Sequence, residues 1–202
     1  MTTDTIEKLR PFAANRRALL RVTVLVEGGM LTVAILLGLA PSIPFWASAR
    51  LDLISIVTGI VAGLAMLAGA SAVTESSFSF AARMRRDMDR FLGLFRGATL
   101  PDFFFISVLA GLGEEALFRG VIQGGLVAYI GVPMAIVVSS VLFGLAHYIS
   151  KTYVVFAMTL GALFGLLYAW SGNIAVPMIA HVAYDFVALW YIYRKPGRTT
   201  TP

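Results

Sequence analysis

The chain has 202 residues, 58% of them hydrophobic and only 13% charged, whereas a soluble globular chain is roughly 45–50% apolar and about 25% charged. At 21.8 kDa with a mean hydropathy of +0.83, a soluble fold has too little interior for this much apolar side chain; the composition excludes a disordered chain, a collagen-like chain and an ordinary soluble enzyme. With no cysteine it also excludes disulfide frameworks, zinc-thiolate sites and cysteine nucleophiles.

A membrane-crossing helix needs about 20 mostly apolar residues. Six stretches qualify: 19–40, 51–73, 100–130, 132–150, 152–171 and 174–193. Lys8, Arg10, Arg16, Arg17 and Arg21 precede or open the first, and Pro41 and Pro44 end it. Ala47-Ser48-Ala49 resembles a signal-peptide cleavage site. The polar lead is long, however, and Glu27-Gly28-Gly29 breaks the apolar run, so the first span is expected to stay uncleaved. Between the second and third spans, Met84, Met88, Phe91 and Phe95 recur at helical spacing, with Arg83, Arg86 and Arg90 on other faces. This pattern predicts an amphipathic helix lying on the cytoplasmic leaflet. Gly131-Val132-Pro133 separates spans three and four, and Ser171-Gly172-Asn173 makes the next turn. Trp190, Tyr191 and Tyr193 read as interface anchors. The pairs Gly59/Gly63, Gly120/Gly124 and Gly161/Gly165 permit close helix approach.

The expected fold is an all-α polytopic membrane helix bundle of about six transmembrane helices plus a cytoplasmic amphipathic helix. Residues 1–99 hold two spans and the amphipathic linker, 100–193 a helical core, and 194–202 a basic tail. With six spans, Arg83, Arg85, Arg86, Arg90, Arg96, Lys151, Arg194, Lys195 and Arg198 join the N-terminal basic residues on one side, against Arg50 alone on the other. The positive-inside bias places both termini in the cytoplasm. The net charge of +5 thus reports orientation and implies no nucleic-acid partner.

An ionisable side chain within a span costs about 2.5–3.5 kcal/mol or more and marks function by default. Those present are Glu27, Glu114, Glu115, Arg119, His147, His181 and Asp185, which include both histidines of the chain. Glu115 and Arg119, four apart, can pair on one helix face. Glu114 is rotated by about 100° from Glu115 and is the carboxylate left over. Phe143 and His147 share a face, as do His181 and Asp185. Glu27 belongs to no such pattern and reads as a packing contact or a residue of a wet groove. Counting ~1.5 Å per residue from the non-cytoplasmic ends puts Glu114 about 24 Å deep, His147 about 21 Å, Asp185 about 18 Å and His181 about 12 Å. One polar site is therefore reachable if the last helix tilts. Gly111 and Gly113 offer a bend just before the carboxylates. A glutamate with a histidine can hold and deprotonate water, and a second histidine with a hydrogen-bonding neighbour can stabilise the oxyanion formed on a carbonyl. Ser139 and Ser140 lie about two turns from His147, a poor fit to a serine triad.

The segments Gly113-Glu114-Glu115-Ala-Leu-Phe-Arg119-Gly120, Phe143-Gly-Leu-Ala-His147 and His181-Val-Ala-Tyr-Asp185 resemble, in order, the EExxxR, FxxxH and HxxxN/D signatures of the CAAX-protease and bacteriocin-processing (CPBP, or Abi) family. That family includes the type II CAAX-prenyl endopeptidases and is described as glutamic intramembrane proteases. The resemblance covers about residues 100–193. It implies a membrane-embedded endopeptidase without a cofactor, in which Glu114 and His147 activate water. Glu115 and Arg119 would support the site, His181 with Asp185 would form the oxyanion side, and Phe143 would pack beside His147. Asp185 departs from the commoner asparagine: an amide always offers a donor, a carboxylate only when protonated. Asp185 can instead hold His181 as an imidazolium, itself a donor. Two other readings are a metallohydrolase with Zn²⁺ on Glu114, His147 and His181, although HExxH is absent, and a non-catalytic immunity or scaffold protein. The implied partners are the bilayer, expected to be a bacterial inner membrane, and a membrane-associated or lipidated peptide or protein. The sequence sets neither the substrate's identity nor an oligomeric state.

Overall fold

The computed structural model describes residues 16–39, 45–95 and 97–194. Lys8, Arg10, Pro41, Pro44, Arg96, Lys195 and Arg198, and the side chains of Arg90, Tyr193 and Arg194, lie outside what is described. The described residues are helical with short connections: α1 (Arg16–Gly38), a short 3₁₀ turn (Phe45–Ser48), α2 (Leu53–Glu75), α3 (Ser79–Leu92), α4 (Leu100–Glu114), a π-helical stretch (Glu115–Gln123), α5 (Gly124–Ala146), α6 (Lys151–Ser171) and α7 (Ala175–Arg194). Four helical runs are long and apolar enough to cross a membrane: Arg16–Gly38, Leu53–Glu75, Leu100–Ala146 and Lys151–Ser171; Ala175–Tyr191 is shorter but also apolar. The run Leu100–Ala146 is two passages. Gly131, at φ +74° and ψ 164°, takes a conformation open to glycine but strained for other residues. There the chain folds back, so that the Ser139 hydroxyl donates to the Phe118 carbonyl at 2.7 Å and the Phe118 and Phe143 rings meet edge-on at 5.2 Å.

This is an integral membrane protein, with apolar side chains outside and polar ones within. Leu25, Leu36, Ile54 and Trp170 are exposed, while Ser107, Glu115, Arg119, Gln123, Ser139 and Asn173 are buried. Each helix satisfies its own backbone, as hydrocarbon requires, and the ends are closed by side chains. Asp52 caps α2 by accepting from the Ser55 N–H at 2.8 Å, which holds its carboxyl below the usual range. Ser150 caps α6 by accepting from the Tyr153 N–H at 3.1 Å. At the foot of α1, Arg16 donates twice to Asp102, at 2.6 and 2.7 Å, and Asp102 also accepts from the Thr99 N–H at 2.7 Å. This bidentate pair ties α1 to the start of α4.

Small residues set the helix spacing. A Cβ on Gly59 would lie 2.9 Å from the Val176 carbonyl oxygen, and one on Gly63 would collide with the Ala180 carbonyl, so α2 and α7 are in backbone contact. A Cβ on Gly161 of α6 would lie 3.2 Å from Ser140 Cα. Gly124 has no such approach: the Arg119 carbonyl of its own helical run and the Tyr168 hydroxyl are its nearest neighbours. Gly111 and Gly113 do not bend α4, which runs unbroken into the π-helical stretch. Their missing side chains admit neighbours instead, the Met178 carbonyl of α7 at Gly111 and the Glu27 carbonyl of α1 at Gly113.

The amphipathic helix forms as α3, but its apolar face meets protein. Ala81, Met84 and Asp87 are buried, Phe91 lies 6.3 Å from Tyr153, and Arg83, Arg85 and Arg86 face outward. Asp87 accepts from the Ser150 hydroxyl, linking α3 to the turn that carries His147. Arg85 donates to the carbonyls of Thr74 and Ser76, closing the end of α2.

Candidate active site

The site lies where α4 passes into the π-helical stretch, beside the end of α5 and the middle of α7. A π-helix, with its i→i+5 bonds, is rare and frequent at functional sites. Here it turns Glu115, Ala116, Phe118, Arg119, Gly120, Val121 and Gln123 inward together. Glu115 and Arg119 form a fully buried ion pair, Nη1 to Oε1 at 3.0 Å. Arg119 Nη2 donates to the Gly161 carbonyl at 3.0 Å, and its guanidinium is centred 4.4 Å from the Phe143 ring and 5.4 Å from Phe164. One turn on, Gln123 Nε2 donates to the Gly165 carbonyl at 3.0 Å. Arg119 and Gln123 thus rung onto Gly161 and Gly165 at matching spacings of four. The glycines are needed because a Cβ on Gly165 would come 2.7 Å from the Gln123 amide oxygen.

His147 sits at the C-terminal cap of α5, with φ −93° and ψ 30°. Its Nδ1 lies 2.8 Å from the Phe143 carbonyl oxygen. A carbonyl only accepts, so Nδ1 carries the hydrogen. Its ring lies on Phe143 at 4.4 Å, which turns Nε2 toward Glu114 Oε2 at 3.4 Å. His181 Nδ1 donates to Glu115 Oε1 at 2.8 Å, and its ring stacks on Phe164 at 4.8 Å. Its Nε2 lies 3.4 Å from Asp185 Oδ2 and 3.9 Å from Glu114 Oε2. The structure therefore brings Glu114, Glu115, Arg119, Phe143, His147, His181 and Asp185 into one cluster. Glu114 is almost wholly buried, while the side chains of His147 and Asp185 are each 29% exposed, so the cluster opens at those two residues.

His181 does not lie about two helical turns shallower than Glu114, as the depth count expects: its Nε2 is 3.9 Å from Glu114 Oε2. Asn173 is buried, accepting from the Arg50 N–H at 2.9 Å and donating to the Ser55 hydroxyl at 2.8 Å. Ile174, Ala175 and Val176 are buried beside it. The start of α7 is sunk into the bundle, and His181 with it. Ser139 and Ser140 spend their hydroxyls on the carbonyls of Phe118 and Ile136. Gly161, read from the sequence only as a packing residue, and Phe164, which no pattern singles out, complete the Arg119 and His181 contacts. The signal for Gly161 was the GxxxG spacing of α6, visible only as packing. Glu27 also proves to lie within electrostatic reach of Glu114, His147, His181 and Asp185.

Residues 96–187 match the family model of the Rce1-like type II CAAX prenyl endopeptidases, so just under half of the chain is similar to that family. Two relatives share the similarity. The uncharacterized protein YpbD of Bacillus subtilis strain 168 is 37% identical over 97 residues, covering 46% of this chain and 47% of the relative. The membrane-embedded CAAX protease MroQ of Staphylococcus aureus strain USA300 is 38% identical over 104 residues, covering 46% of this chain and 40% of the relative. The chain thus spans less than half the length of either curated relative. No solved structure matches it.

Proposed function

We propose that the protein is an intramembrane endopeptidase that hydrolyses a peptide bond of a membrane-associated or lipidated substrate with a water molecule activated by Glu114 and His147. One observation carries this reading: a buried glutamate whose free oxygen faces the Nε2 atoms of both histidines, at 3.4 and 3.9 Å. Because His147 Nδ1 is committed to a backbone carbonyl, its Nε2 is the only ring atom left for proton exchange with Glu114 or a water between them. The water oxygen attacks the carbonyl carbon, the carbonyl electron pair moves onto its oxygen, and the water's proton passes to the Glu114–His147 pair. When the C–N bond breaks, that proton goes to the amine. His181 faces carboxylate oxygens with both ring nitrogens, and carboxylates accept from N–H. The doubly protonated ring is thus the form this setting favours, and its Nε2–H is the donor for the oxyanion. Glu115 and Arg119 hold His181 at that angle.

Residues 100–193 form the catalytic core in this reading, and the helices before it enclose the site. The basic side carrying Arg83, Arg85, Arg86 and Lys151 is cytoplasmic, in a bacterial inner membrane, and a substrate peptide enters past His147 and Asp185. The reading requires no metal. A zinc enzyme is the second reading, because both histidines place Nδ1 on a carbonyl or carboxylate and leave Nε2 toward Glu114, an outer-shell pattern that zinc ligands share. Among the described residues no group of three donors has metal-holding geometry.

The test is cleavage of a farnesylated C-terminal CAAX peptide, and of its unlipidated form on a membrane anchor, by purified protein in lipid vesicles. Mass spectrometry is expected to show a single scission by the wild type and none by His147→Ala. Equal cleavage by both proteins, or none by the wild type, would sink the proposal.

A further inference from the structure

Glu27 stands outside the matched stretch 96–187 and outside the three motifs, yet α1 delivers it to the site. Gly113, one residue before Glu114, leaves room for the Glu27 backbone: a Cβ there would collide with the Glu27 carbonyl oxygen and lie 3.5 Å from Leu31 N. That crossing sets Glu27 level with Glu114. Three residues on, Met30 packs against the cluster of Phe118 and Phe143, and the Phe143 ring contacts both Arg119 and His147. The Glu27 carboxyl interacts electrostatically with Glu114, His147, His181 and Asp185. Its Oε2 is buried without a hydrogen-bond partner, and so is Oε2 of Glu114, a residue only 4% exposed.

Two donor-less carboxyl oxygens in one low-dielectric site are costly, and such groups are ordinarily satisfied by protein or by ordered water. A water molecule has two hydrogens to give and a lone pair to spare. We propose that Glu27 is a second carboxyl arm of the site: its Oε2 and Glu114 Oε2 accept the two hydrogens of the attacking water and aim its lone pair at the substrate carbonyl. This rests on the hydrolytic reading above. In the step itself the water O–C bond forms, the carbonyl π pair becomes the oxyanion, and the hydrogen on the Glu114 side is transferred to Glu114. The hydrogen on the Glu27 side stays on the new hydroxyl. Collapse breaks the C–N bond, and Glu114 returns its proton to the leaving nitrogen. Glu27 gains and loses nothing; it orients. Since α1 lies outside the matched stretch, this arm is a feature of this chain's own first span.

The experiment compares wild type, Glu27→Gln, Glu27→Leu and Glu114→Gln in vesicles with the farnesylated CAAX peptide, alongside thermal melting of each protein in detergent. Losing one arm on the water misorients the nucleophile, so Glu27→Leu is expected to lose about 10- to 100-fold in kcat, while Glu27→Gln, whose amide oxygen still accepts, is expected to keep most of it. Their KM and melting temperature are expected to stay near those of the wild type. A residue that merely packs α1 gives a different pattern: Glu27→Leu keeps its kcat at an unchanged melting temperature, and that result would overturn the proposal. A second arm needs no turnover. An experimental structure of the wild type at high resolution is expected to show a water within hydrogen-bond distance of both Oε2 atoms, absent in Glu27→Leu; a Glu27 carboxyl turned away from Glu114 overturns it. Should Glu114→Gln cleave as fast as the wild type, the hydrolytic reading itself fails, and the water position alone then decides whether Glu27 and Glu114 share a ligand.

Discussion

Arg119→Leu is expected to unfold the core of this protein. Arg119 is completely buried, and among the described residues its guanidinium is the arginine charge that pairs within the cluster of Glu114, Glu115, His147, His181 and Asp185. Leucine would fill much of the volume but leave Glu115 without its 3.0 Å partner and the Gly161 carbonyl without a side-chain donor. Breaking a buried pair from one side costs about 3–5 kcal/mol, and here His181 Nδ1 alone would remain on Glu115. The stacking between Phe143 and Phe164 goes too, worth about 2 kcal/mol where desolvated. Together these approach the whole stability of an ordinary domain. Size-exclusion profiles and melting curves in detergent are the check. Arg119→Lys is expected to fall between, since a point charge cannot serve Glu115 and Gly161 as a fork does. A leucine variant as stable as wild type would mean that the buried pair is not a keystone of the bundle.

Glu114→Gln is expected to do the opposite: keep the fold and remove the activity. The amide is nearly isosteric with the carboxyl, and no hydrogen bond to Glu114 Oε2 is lost. What disappears is the proton acceptor beside His147 Nε2. General-base assistance contributes about 10²–10⁴-fold, so kcat is expected to fall by about that factor, with the melting temperature close to that of the wild type and the affinity for an uncleaved substrate unchanged. Cleavage rates in vesicles, with melting curves measured on the same preparations, separate this variant from Arg119→Leu. The two residues are five apart, and the proposed mechanism assigns Glu114 to chemistry and Arg119 to architecture.

Much of this was legible from residue order. The apolar runs marked the passages because a helix crossing hydrocarbon has no other way to satisfy its backbone. The scarcity of intramembrane charge singled out the cluster, since each such group is costly unless partnered. Spacing of four predicted the Glu115–Arg119, Phe143–His147 and His181–Asp185 neighbours because side chains at i and i+4 share a face. Other features depend on contacts between distant segments. The depth of His181 follows from Asn173 being anchored to Arg50 and Ser55, which no local pattern reveals. Gly111 and Gly113 looked like a hinge and act as windows for α7 and α1. The amphipathic face of α3 says that something apolar covers it, and protein and lipid are equally apolar partners. Glu27 had no motif, and only the crossing of α1 at Gly113 places it beside Glu114.

In the proposed mechanism side chains, and not a bound metal, activate the water. The most direct measurement is the rate of peptide cleavage by wild-type protein after exhaustive treatment with a strong zinc chelator, with the metal content of the same sample determined. An undiminished rate at substoichiometric metal is the expected result. Activity that vanishes on chelation and returns when Zn²⁺ is added would contradict it, and would make Glu114, His147 and His181 metal ligands instead.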